Sequence, residues 1–179
     1  MPHIVKFCVY PMVESTAMSK KIQSREQLAS TINQAKVCGK TVVTTNGCFD
    51  VLHVGHLRYL QVARELGDLL VVGINSDASV RALKGRNRPI QPEDERAEIL
   101  AGLECVDYVT IFSELNPIAL LAVLKPNIHV KGGNYAIEEV VERQVVEANG
   151  GKVILGLQVP GKSTTDLIKA IREKAVESD

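Results

Sequence analysis

"TTNGCFDVLHVGHLRYL", Thr44–Leu60, decides the fold. Its first residues close a β-branched run that begins at Thr41. Its last residues start an apolar series at helical spacing, Leu57, Leu60, Ala63 and Leu66, with Gly67 as the stop. Strand, glycine-bearing turn and helix in that order open a βαβ unit. Gly47 and Gly55 let the backbone come close to a ligand. His53 and His56 fall one turn apart where the helix begins, so the two imidazoles project together at its mouth.

Working outward, the same alternation recurs. "TVVTTN" (41–46), "DLLVVGIN" (68–75), "DYVTIF" (107–112), "NIHVKG" (127–132) and "KVILGL" (152–157) read as strands. Most are apolar nearly throughout, as parallel strands covered on both faces must be. Helical patterns separate them. "QPEDERAEILAGL" carries Pro92 near its first position and acids in its first turn. "NPIALLAVL" has Asn116 as a cap with Pro117 behind it. "AIEEVVERQVVEANGG" reads as one helix stopped by Asn149, Gly150 and Gly151. "TTDLIKAIREKA" follows, and "SREQLASTINQAKVC" (24–38) precedes the first strand as an extra helix. The expected architecture is α/β, a doubly wound five-stranded parallel sheet with right-handed crossovers, Rossmann-like, plus that N-terminal helix. No repeat or linker divides it, so residues 24–179 make one domain. Residues 1–23 show no period and read as a tail, with Met18 as an alternative start.

The totals narrow the function. Lys+Arg equals Asp+Glu at 21 each in 179 residues, a balance that gives no support for bulk nucleic-acid binding, which usually needs a basic face, and leaves room for a local positive pocket. Three Phe, four Tyr and no Trp argue against a base-stacking surface. Cys8, Cys38, Cys48 and Cys105 form no CxxC pair and no zinc spacing and read as free thiols. No run is long enough to span a bilayer, and the N-terminus lacks the apolar core of a signal peptide. A cytoplasmic protein with no membrane partner is expected.

In an open parallel sheet, ligands bind beyond the carboxyl ends of the strands where the order reverses. The end of the first strand, Thr45-Asn46-Gly47-Cys48-Phe49-Asp50, runs into a helix start whose free N–H groups favour an anion. Two imidazoles above it make a phosphate site able to donate hydrogen bonds to charge that develops on phosphorus. Two other readings stay open: histidines with satisfied nitrogens, or a metal site shared with Cys48 or Asp50, although no second strong ligand cluster accompanies them.

"GCFDVLHVGH" resembles the HxGH signature of the nucleotidyltransferase superfamily, which includes cytidylyltransferases and adenylyltransferases. "VVGINSDASVRALKGRNRPI", "ERAEIL", "VDYV", "VKGGNY", "EANGG" and "STTDLI" extend the resemblance, in order and spacing, to the adenylyltransferase domain of bacterial ADP-heptose synthases. It covers roughly Ser24 to Glu173. With no room for the kinase domain of the bifunctional version, the chain is similar to a stand-alone adenylyltransferase. The resemblance implies joining ATP to D-glycero-β-D-manno-heptose 1-phosphate, giving ADP-heptose and pyrophosphate, with Mg²⁺ on the phosphates and a homodimer. It implies catalytic roles for His53, His56 and Lys84. Nucleotide contacts are implied for Asn46, Gly47, Cys48, Phe49, Gly55, Arg96, Lys131, Gly132, Gly133, Asn134, Ser163, Thr164 and Thr165. Arg96 is expected to face the phosphates, or else to pair with Glu93 or Glu95. Relatives commonly carry Asp at the place of Asn134. Asn keeps an acceptor oxygen there but no negative charge.

Alternatives are a cytidylyltransferase or adenylyltransferase using another small phosphate ester (glycerol 3-phosphate, FMN), or a nucleotide-binding module without catalysis. The cytidylyltransferases carry an arginine in the loop that reads "GKSTTDLI" here. "GLQVPGKS" (156–163) matches a P-loop letter for letter. Pro160 removes an N–H that the cradle needs, and too little chain follows for a Walker-B strand, so that match reads as coincidental.

Overall fold

The computed structural model describes residues 20–133, 136–156 and 164–176. Five parallel strands form one sheet: β1 (Val42–Gly47), β2 (Leu69–Asn75), β3 (Tyr108–Phe112), β4 (Ile128–Lys131) and β5 (Lys152–Leu155). Their order is β3-β2-β1-β4-β5, so the order reverses at β1. Val42 to Gly47 run in register beside Leu69 to Ile74, and Val43 to Thr45 beside Ile128 to Val130. Side chains of a strand alternate between faces, and the core divides accordingly. Val43, Leu70 and Val72 pack with Leu60, Ala63, Ala97 and Leu100. Val42 and Val71 pack with Leu28, Ile32, Leu120 and Leu124.

The helices that supply those side chains are α1 (Arg25–Val37), α2 (Val54–Arg64), α4 (Glu93–Ala101) and α5 (Ile118–Leu124). Thus α2 and α4 cover one face and α1 and α5 the other, the doubly wound arrangement. Ser24 caps α1 in a reciprocal box with Gln27. The last helix, α7 (Thr164–Val176), matches its expected extent.

Three features depart from the sequence expectations. An additional helix, α3 (Asp77–Lys84), fills the stretch after β2 and is capped by Ser76, whose Oγ accepts from Ser79 N at 3.3 Å. The long helix expected over 136–151 is broken into a 3-10 turn, Ile137–Glu139, and α6 (Arg143–Ala148). Val140 is extended and buried between them, and the Glu142 carboxylate is drawn under the end of β4 to pair with Lys131. Burying those two side chains together takes Val140 out of helical geometry. Finally, Lys20–Gln23 are not loose tail. Ile22 bridges to Val109 in parallel, with Val109 N donating to Lys21 O and Gln23 N to Val109 O. The segment thereby covers the open edge of β3. Cys8, Met18, Asn134, Tyr135, Ser163 and the P-loop-like stretch beyond Gly156 lie outside the described residues.

Candidate active site

β1 ends at the reversal of strand order, and the chain then turns sharply. Phe49 adopts φ +45°, a left-handed conformation that costs a side-chain-bearing residue of order 1 kcal/mol. The turn is held from outside. Asp50, 1% exposed, accepts from Ile90 N at 2.7 Å and Gln91 N at 3.0 Å and forms an ion pair with Arg88. The strained turn therefore rests on the loop that precedes α4. A Cβ on Gly47 would sit 3.0 Å from the Phe49 ring and press on it.

The histidines meet as the spacing implies. His53 is the N-cap of α2, and its Nδ1 accepts from Gly55 N at 3.1 Å. In the neutral ring that places the proton on Nε2. The two imidazoles stack with centroids 3.9 Å apart and an interplanar angle of 22°. Phe49 tilts against His56 with centroids 5.1 Å apart. Burial, then the neighbouring His53, push the pKa of His56 down to about 4. His56 is thus neutral at physiological pH. Its Nδ1 is buried without a partner among the described residues. An unsatisfied buried nitrogen is costly to packing and fits a site completed by a ligand.

His56 opens into a cleft of about 590 Å³, the size of a nucleotide pocket. Asn46, Gly47, Cys48 and Phe49 wall it from β1, Lys84 from the end of α3, Lys131 and Gly132 from β4, and Thr164 and Thr165 from α7. Ten positions implied by the resemblance are therefore gathered in one place. Thr164 Oγ1 donates to Val51 O at 3.2 Å, fastening α7 over the β1 turn. Gly133, at φ +118°, supplies the turn after β4. Gly55 is buried in the first turn of α2. Burial raises the Cys48 thiol pKa, so Cys48 is a wall and not an ionised nucleophile.

Arg96 is the correction. It does not face the cleft and does not pair with Glu93 or Glu95. It is 1% exposed, and its guanidinium donates to Gln91 O, Cys48 O, Asn75 O and Asp77 Oδ1 at 2.6–3.0 Å. It acts as a clamp that ties the β1 turn, the end of β2 and the start of α3 together. Sequence reasoning also missed several residues. Asn75, Glu139 and Glu142 line the cleft, as do Leu115 and Pro117. The polar Asn75 that closes the apolar run of β2 at the ligand edge is the one signal that could have found it. The glutamates sit in what reads as a solvated helix face.

The known proteins that resemble this chain agree with the geometry. A family model described as Cytidylyltransferase-like matches residues 44–174, and the chain belongs to that family. Curated relatives named Bifunctional protein HldE narrow it further. The one from Pelobacter propionicus is 57% identical over 154 residues, 86% of this chain and 32% of the relative. The one from Geotalea uraniireducens is 55% identical over 157 residues, 88% of this chain and 32% of the relative. The chain spans about a third of the length of these relatives. Among solved structures, a lipopolysaccharide core biosynthesis protein from Thermoplasma volcanium superposes with a TM-score of 0.59 at 28% identity, covering 68% of this chain and 99% of that one. A pantoate-beta-alanine ligase from Francisella tularensis shares the fold at a TM-score of 0.54 and 16% identity, covering 83% of this chain and 76% of that one.

Proposed function

We propose that the chain transfers AMP from ATP to D-glycero-β-D-manno-heptose 1-phosphate, releasing pyrophosphate and forming ADP-heptose. The observation that carries the reading is His56, stacked on His53 at the N-terminus of α2 and opening on a nucleotide-sized cleft where the strand order reverses. The resemblance to the heptose-type branch supplies the acceptor.

A phosphate oxygen of the sugar attacks the α-phosphorus. The new P–O bond forms as the bond to the bridging oxygen breaks, and pyrophosphate leaves. Two anions must be brought together and their charge spread, so alignment and electrostatics do most of the work. His53 and the neutral His56 offer hydrogen bonds that strengthen as charge gathers on the phosphoryl oxygens. Lys84 brings positive charge to the same cleft. No covalent enzyme intermediate is required.

The described residues hold no group of three or more His, Cys, Asp or Glu placed to bind a metal. Asp50, in the turn that leads to the histidines, has both oxygens occupied. Mg²⁺ is accordingly proposed as an ion carried on the triphosphate, the usual habit of magnesium at phosphate sites. There it would neutralise charge. Among the described residues, no helix is long and apolar enough to cross a membrane. A cytoplasmic homodimer is the proposed setting.

The test is pyrophosphate release from ATP and from CTP, each with a panel of sugar 1-phosphates and glycerol 3-phosphate. Release with ATP and the heptose 1-phosphate is expected, and His56→Ala should lower kcat/KM by about 10²-fold, the scale of one lost transition-state donor. Preference for CTP would move the protein to the cytidylyltransferases. Turnover of the variant at the parent rate would remove the histidines from the chemistry.

A further inference from the structure

The charges in the cleft are not spread evenly. On the β1–β2 side stand Lys84, Arg88 and Asp50, with the α2 N-terminus beside them. Arg88 and Asp50 cancel as an ion pair, which leaves Lys84 and the helix end, a positive balance. On the β4 side stand Lys131, Glu139 and Glu142, a balance of one negative charge. Lys131 is only 17% exposed and pairs with Glu142, which is 1% exposed. The second oxygen of Glu142, Oε2, is buried and accepts no hydrogen bond among the described residues.

A buried carboxylate oxygen without a donor is expensive. It also selects what can approach. A phosphate at neutral pH is acceptor-only and negative, so Glu142 repels it. A hydroxyl donates to the carboxylate and accepts from an ammonium, and it carries no charge to offend either. The terminal torsion of a glutamate is soft, so its two oxygens can exchange places between Lys131 and the cleft. Resting on the transferase reading above, we infer that Lys131 and Glu142 form a hydroxyl-reading corner that binds a vicinal diol, with the phosphates on the opposite, histidine side. Glu142 is then a specificity-determining residue. Lys131 serves hydroxyl recognition because its charge is already neutralised. The diol belongs either to the ribose of the nucleotide or to the sugar acceptor, and the same chemistry serves both.

The experiment uses the full chain with Mg²⁺. Calorimetric titration measures binding of ATP, 2′-deoxy-ATP and inorganic tripolyphosphate to the parent and to Glu142→Gln, and steady-state kinetics give KM for the sugar 1-phosphate. In the variant, the diol-bearing ligand should weaken by about tenfold, the loss typical of one hydrogen bond to a charged group. Tripolyphosphate should bind as well as before or better, because the carboxylate that repels phosphate is gone. If the ribose is read, ATP weakens while 2′-deoxy-ATP, already weak, changes little further. If the acceptor is read, its KM rises and ATP binding holds. Should Glu142→Gln be too unstable, the double replacement Lys131→Met with Glu142→Leu removes both groups without stranding a charge, and the same pattern is expected. Equal weakening of ATP and tripolyphosphate would make the pair a phosphate clamp and overturn the inference. So would unchanged affinities in a variant whose parent turns over normally. A parent that binds ATP but releases no pyrophosphate with any acceptor overturns the transferase reading instead, and is seen before any variant is made.

Discussion

His56 illustrates how far one residue's behaviour is set by what touches it. Stacked on His53 and tilted against Phe49, its ring lies where a proton is hard to accommodate, and its pKa falls to about 4. Following the imidazole C–H resonances with pH should give His56 a midpoint near 4. A midpoint near 6.5, the value of a free side chain, would mean that the ring is solvated. Arg96 makes the opposite case, a charge spent on architecture. Its donors hold three backbone carbonyls and Asp77. Arg96→Met strips the donor from the buried Asn75 O and from three part-buried acceptors, and should cost about 3 kcal/mol in urea unfolding. A loss under about 1 kcal/mol would mean that the clamp is dispensable. The histidines were legible in the sequence because their partner is one turn away on the same helix. Arg96 was not, because Cys48, Asn75 and Asp77 reach it from three other segments. Glu142 was not either, since its reason is Lys131 on a neighbouring strand.

Among elements, α2 carries the site and Tyr59 decides where α2 lies. Its hydroxyl meets Thr45 Oγ1 of β1 at 2.6 Å and donates to Val130 O of β4 at 2.9 Å. Burial holds the phenol protonated far above neutrality. The ring leaves no room beside it. A Cβ on Gly156 would come within 2.3 Å of Tyr59, and one on Gly132 within 3.1 Å. The glycine that begins the P-loop-like stretch is thus a packing requirement of β5 against α2. Tyr59→Phe should cost about 1–3 kcal/mol for the lost hydrogen bonds. Gly156→Ala should cost more, because it displaces the whole ring, and thermal midpoints of the two variants should rank in that order. The opposite ranking would show that the α2–β5 contact yields easily. Strands were legible to within about two residues because β-branched apolar runs admit little else. The split between the 3-10 turn and α6 was hidden because "AIEEVVERQVVEANGG" has helix-forming composition throughout. Tertiary burial of Val140 overrides that local preference. The short α3 carries clear signals, the Ser76 cap, Asp77 in its first turn, Arg81 and Lys84 in its last and one apolar face, but its 8 residues are too few for that period to repeat.

Across the whole molecule, the same economy of buried polar groups sets how the fold responds to acid. His129 is 0% exposed in β4, opposite Thr44 of β1, and its Nδ1 lies 2.9 Å from Thr44 Oγ1. Its Nε2 has no partner among the described residues. Burial, with Lys131 nearby, pushes its pKa down to about 3. In the unfolded chain the same imidazole titrates near 6.5. Between those values the unfolded state takes up a proton that the folded state refuses, so folding loses free energy as pH falls. The contribution is intact above about pH 6.5 and drains away toward pH 3, at up to about 1.4 kcal/mol per pH unit for one such proton. His56 adds to the loss over the upper part of that window, down to about 4. His129→Leu removes the titrating group and keeps an apolar side chain at the centre of the sheet, while Thr44 Oγ1 retains Ile128 O at 3.4 Å. The variant's thermal midpoint should therefore fall less steeply than the parent's between pH 6.5 and 4, and run parallel to it above pH 7. Curves that stay parallel down to pH 4 would show that the ring is protonated inside the folded sheet.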